Sequence, residues 1–112
     1  MQARILPVVA LALLSASALV TAESQRMAHG RAAYEAGCAT CHKHGTDGAP
    51  ATSRAEDWAD RSDLWESVLA EPARKGYINM PAKGGNPAAS DYDVQAATEY
   101  MLTITHPELP AD

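Results

Sequence analysis

The chain has 112 residues, 46% of them hydrophobic and 21% charged, which sets it among single globular domains rather than disordered or fibrous chains. Its net charge of −5 argues against non-specific binding to nucleic acid and against an anionic membrane surface. Phenylalanine is absent, so side chains alone build only a thin core and something else is expected to fill the middle.

In chain order, Met1 to Arg4 carries one positive charge, Ile5 to Val20 is apolar apart from Pro7 and small serines, and Val20-Thr21-Ala22 offers small residues to a signal peptidase. This is the three-part layout of a secretory signal, cut after Ala22 and leaving residues 23–112 as the mature domain. The alternative is an uncleaved membrane anchor. Against it, the run is shorter than the roughly 20 residues that span a bilayer, and Pro7 interrupts it.

Ser24 can cap a helix running from about Gln25 towards Cys38, with Gly30 and Tyr34 one turn apart on one face. A glycine there admits a second helix closely, and Gly37 eases a bend before the first cysteine. Lys43 to Asp57 reads as a loop through Gly45, Gly48 and Pro50. Ser62 can cap a second helix bearing Leu64, Trp65, Val68 and Leu69, which Pro72 is expected to end. Arg74 to Ala89 is again irregular. Ser90 and Asp93 then resemble a capping box, followed by Val94, Ala97, Tyr100, Met101 and Ile104 at helical spacing until Pro107. No stretch alternates like a strand. The expectation is an all-α domain of three main helices joined by long loops, and such loops are explained if they wrap a large flat cofactor.

Cys38-Ala39-Thr40-Cys41-His42 is C-x-x-C-H, the attachment signature of c-type haem. Two thiols three residues apart share a helix face and can each bond one haem vinyl group. The adjacent His42 is then held under the iron as proximal ligand. A thioredoxin-like reading of the pair lacks the surrounding βαβ pattern, a zinc site lacks further ligands at suitable spacing, and a disulfide would close a very small loop. Candidates for the second axial position are Met27, Met80, Met101, His29, His44 and His106. Met27 and Met101 sit at core spacing on helices, His44 is too near His42 to reach the opposite face, and His29 and His106 lie near the ends of the domain. Met80 lies far along the chain in an irregular loop beside Pro81, which favours it.

With this motif, Gly48-Ala49-Pro50, Trp58, Arg61 and Met80-Pro81-Ala82-Lys83-Gly84-Gly85, the chain resembles the class I cytochromes c, and within them the short bacterial cytochrome c-five group. The likeness runs from about Gly30 to Met101. It implies the small all-α fold of that class around one covalently bound haem c, with His42 and Met80 as the axial pair. It also implies that the Pro50 carbonyl receives the other His42 nitrogen, that Trp58 and Arg61 lie near the propionates, and that Tyr77 and Pro81 border the haem. Gly30, Tyr34 and Tyr100 would mark the crossing of the first and last helices. Many members of the c-five group carry an extra cysteine pair, and this chain has none.

A His/Met pair leaves no open iron position, and the neutral thioether favours the ferrous state, so one-electron transfer rather than catalysis is expected. The expected partners are redox proteins, such as respiratory complexes or other periplasmic enzymes, with no nucleic acid and no stable membrane insertion. Two rival readings are a fixed haem subunit of a larger redox complex and a thiol–disulfide oxidoreductase using Cys38 and Cys41. Lys43, Arg61, Arg74, Lys75 and Lys83 fall in segments expected to border the haem, where they would favour an acidic partner rim.

Overall fold

The computed structural model describes residues 25–52, 54–59 and 66–107. The expected signal of residues 1–22, the caps at Ser24 and Ser62, and Arg61, Leu64 and Trp65 lie outside the described residues. Among the described residues the molecule is helical, and its sole strand-like pairing is a bridge between Tyr77 and Met80.

The first helix, α1, covers residues 25–42. It widens into a π-helical turn at Tyr34–Cys38 and closes with an α-turn at Ala39–His42. Gly37 lies within that π turn, and the chain stays helical through both cysteines rather than ending at the first. The helix gives way only beyond His42, where Gly45 donates its N–H to the Cys41 carbonyl at 3.0 Å.

Helix α2, Glu66–Lys75, contains Pro72 in its interior rather than ending before it. Proline removes one backbone hydrogen bond there, but α2 packs along the last helix with Ala73 buried, and Glu71 pairs with Arg74 and Lys75 at 2.7 Å each. The stop comes at Gly76, whose φ of +92° is left-handed and whose N–H reaches the Pro72 carbonyl at 2.8 Å. Tertiary packing outweighs the local breaker.

Helix α3, Asp91–Thr105, begins with the expected capping box: Ser90 Oγ accepts from the Asp93 N–H at 3.0 Å and Asp93 Oδ2 accepts from the Ser90 N–H at 2.8 Å. Those bonds to Ser90, helped by His29, hold the Asp93 carboxyl below its ordinary value. Val94, Ala97 and Met101 are buried as the spacing predicts, whereas Ile104 sits exposed at the edge of the stripe. Ala96, Thr98, Glu99, Leu102 and Thr105 are buried as well, since α3 is covered by α1 on one side and α2 on another. The buried hydroxyls of Thr98 and Thr105 donate to the carbonyls of Val94 and Met101, and Glu99 pairs with Arg26, so these polar groups are satisfied.

The crossing of α1 and α3 is set at Gly30. A Cβ on that residue would stand 2.2 Å from the Ala96 carbonyl oxygen, so only glycine permits this approach. One turn later the Tyr34 and Tyr100 rings meet at 5.3 Å. We expect Gly30→Ala to force the two helices apart and to destabilise the protein by about 1–3 kcal/mol. A denaturant melt checks this, because an unchanged midpoint would mean that the crossing yields freely. Around it lies a small cluster of Tyr34, Ala97 and Met101, flanked by Ala33, Cys38, Ala39 and Tyr100.

Candidate cofactor site

Cys38, Cys41 and His42 occupy the C-terminal end of α1. Both thiols are free and half-buried, and Cys38 packs on the small core cluster. Burial pushes the Cys38 thiol above its ordinary value. A thiol–disulfide oxidoreductase instead exposes a cysteine whose thiolate is favoured, commonly at a helix N-terminus. Both the pair's place on α1 and the burial of Cys38 run against that chemistry.

His42 is 7% exposed, and its Nδ1 lies 2.8 Å from the Pro50 carbonyl oxygen. A carbonyl only accepts, so Nδ1 carries the proton and Nε2 keeps a free lone pair. The loop after α1 turns through Thr46–Gly48 and returns to make this contact. Several bonds then fix the returning segment. Thr52 directs its N–H and its hydroxyl to the His42 carbonyl at 2.6 and 2.9 Å, and its Oγ1 lies 3.0 Å from the Tyr34 hydroxyl. Asp57 accepts the Ala51 N–H, and Trp58 Nε1 donates to the Ala51 carbonyl, both at 3.0 Å. The Trp58 ring lies 6.1 Å from that of His42, the planes inclined by 24°.

Further along the chain, Tyr77 and Met80 exchange backbone hydrogen bonds at 2.9 and 2.8 Å, closing a tight turn with Ile78 at a left-handed φ of 52°. Met80 is half-buried and lines the same cavity as Cys38, Ala97 and Met101, between the end of α1 and α3. Pro81 follows in extended conformation, and Lys83 Nζ donates to the Ala89 carbonyl at 2.8 Å, tying the Met80 loop to the chain before α3. Tyr77 and Pro81 flank Met80 and are exposed. Of the other candidates for the distal position, Met101 belongs to the core cluster and His29 Nε2 lies 2.7 Å from Asp93 against the Tyr92 ring, while His106 takes the C-cap of α3 with its backbone N–H. Two free thiols, an imidazole with an available Nε2 and a methionine on the cavity that Cys38 also lines form a donor set that suits a covalently held haem.

Of the five cations expected to form one patch, Arg74 and Lys75 pair with Glu71, Arg74 also approaches Asp91 at 3.7 Å, and Lys83 is spent on Ala89. Arg61 lies outside the described residues, and Lys43 is exposed. Thr52, Asp57 and the Tyr34 hydroxyl were not legible as site residues. Their partners follow from the path of a loop and carry no spacing signature.

Comparison with known proteins places the chain in a family. A family model described as "Cytochrome C oxidase, cbb3-type, subunit III" matches residues 25–101. Cytochrome c-555 of Chlorobaculum tepidum is 41% identical over 100 residues, covering 84% of this chain and 93% of that protein. Cytochrome c-551 of Halorhodospira halochloris is 40% identical over 78 residues, covering 66% and 95% respectively. A chain from the crystal structure of an electron transfer complex of nitrite reductase with cytochrome c superposes with a TM-score of 0.63 at 30% identity. That match covers 69% of this chain and 94% of the other.

Proposed function

The chain belongs to the class I c-type cytochromes, electron-transfer proteins carrying covalently bound haem c, and on that footing we propose that it is a soluble periplasmic one-electron carrier with His42 and Met80 as axial ligands. The observation that carries this reading is the His42–Pro50 hydrogen bond, which commits Nδ1 to the protein and leaves Nε2 for the iron. Cys38 and Cys41 would anchor the group by thioether bonds, and the Met80 thioether would take the remaining axial position. When bound, the haem iron supplies a ferric–ferrous couple that accepts or gives one electron. The protein's part is to hold both ligands still across that change. The bonds of Thr52 to the His42 carbonyl and of the Ala51 N–H to Asp57 would do this for His42, and the closed Tyr77–Met80 turn for Met80.

A fixed haem subunit of a larger complex is the second reading, since the matching family model is described as an oxidase subunit. The relatives that this chain spans almost end to end are named as individual cytochromes, which supports the mobile carrier. Redox proteins are the partners, in keeping with the solved complex of a cytochrome c with nitrite reductase. For export we propose that residues 1–22 act as the signal; no helix among the described residues is long and apolar enough to cross a membrane.

A redox titration followed by visible absorption tests the proposal. The expected result is a reversible one-electron transition, with the haem remaining on the chain after denaturation and acidic organic extraction. Haem that extracts freely from correctly matured protein would overturn the attachment through Cys38 and Cys41.

A further inference from the structure

Pro50 contributes its carbonyl and Ala51 its N–H to a single peptide group, and both ends of that group are engaged. His42 Nδ1–H donates to the Pro50 oxygen at 2.8 Å, and the Ala51 N–H donates to Asp57 Oδ2 at 3.0 Å. The Asp57 carboxylate is partly shielded, with its side chain 23% exposed, and its other oxygen faces Arg54 at 3.6 Å. Trp58 holds the next carbonyl along, so the peptide cannot swing away from the histidine.

We propose that Asp57 is a positioning and tuning residue for His42, acting through the Pro50–Ala51 peptide to set the strength of the Nδ1–H hydrogen bond and so the redox potential. The proposal rests on the ligand reading of His42 given above. A carboxylate at the N–H end of an amide draws the proton towards itself and leaves more negative charge on the carbonyl oxygen, because hydrogen bonds in series polarise one another. That oxygen is then the stronger acceptor, the imidazole gains anionic character, and a more basic proximal ligand favours ferric iron. Arg54 opposes the effect by neutralising part of the Asp57 charge.

The test compares Asp57→Asn with Glu56→Gln in the haem-loaded protein. The side-chain amide oxygen that Asp57→Asn leaves in place can still accept from Ala51, so the loop keeps its bond and loses only the charge. Glu56 is the neighbouring carboxylate, exposed and 3.5 Å from Arg54, with no bond to this peptide. The midpoint potential should rise further in Asp57→Asn than in Glu56→Gln. In the ferrous protein, exchange of the His42 Nδ1–H, followed by NMR, should quicken roughly tenfold in Asp57→Asn. It should slow in Arg54→Gln, a variant that retains the carboxylate and keeps the test open if Asp57→Asn fails to accumulate. Equal potentials in the first pair, or exchange that does not respond in either variant, would overturn the inference. A wild-type His42 ring signal showing no sign of iron ligation would overturn the ligand reading itself, and this is read before any variant is made.

Discussion

Cys41→Ala will cost the protein its stably bound haem and, with it, most of its folded state. Buried apolar side chains are few and small. Ala51, Ala73, Ala96 and Ala97 account for half of the buried hydrophobic set among the described residues, and no large side chain is completely enclosed. Each alanine has little area to hide, so the core cannot offset the conformational entropy of ordering such long loops. A ligand held at a thousandfold excess over its dissociation constant contributes about 4 kcal/mol. A domain of this size loses about 4–8 °C of melting temperature per kcal/mol, so the midpoint should fall by roughly 15–30 °C. Far-ultraviolet circular dichroism against temperature measures the loss, and haem staining of the denatured chain measures attachment. A variant with normal staining and an unshifted midpoint would mean that Cys41 plays no part in holding the cofactor.

What the sequence revealed, it revealed where the chemistry is compressed into neighbouring residues. C-x-x-C-H packs two thiols and an imidazole into five positions, and the Ser90/Asp93 box satisfies its own helix end within three residues. Gly30 was legible for a related reason. A glycine one turn before a tyrosine on an apolar face has few uses other than a close crossing, and Ala96 does stand against it. Pro72 misled because its penalty is local while the forces that outweigh it are not: the α2–α3 packing and the Gly76 stop act from outside the proline's own turn. The pairing of the charges was only partly legible. Arg74 and Lys75 face Glu71 from one and the same helix, a pairing that composition could suggest, but the turn of Lys83 into Ala89 needs the fold of the Met80 loop. Least legible of all was the Tyr34–Thr52–Asp57 set. Those bonds arise only once the loop has come back to His42.

With Met80 as the distal ligand proposed above, Met80→Ala should open one axial position while leaving the haem attached. Met101 lines the same cavity and could offer its sulfur instead, but that residue is 4% exposed and packed with Tyr34 and Ala97 at the α1–α3 contact. His29 is bound to Asp93 at 2.7 Å with its ring tilted against that of Tyr92, and drawing it away would undo a contact between α1 and the start of α3. The vacated position therefore goes to water or an added ligand. Losing a soft, neutral thioether removes the donor that favours ferrous iron, so the potential should drop by on the order of 100 mV, a modest part of the roughly 0.8 V that axial ligation governs. Stability should fall much less than in Cys41→Ala, because the thioether anchors and the His42–Pro50 bond are untouched. The Tyr77–Met80 turn should also survive, since its two hydrogen bonds are made by backbone atoms. Carbon monoxide added to the reduced protein reads the outcome: ready binding by Met80→Ala and none by the parent supports the assignment. If Met80→Ala keeps the parent spectrum and refuses the ligand, while Met101 or His106 variants admit it, the sixth ligand is one of those residues instead.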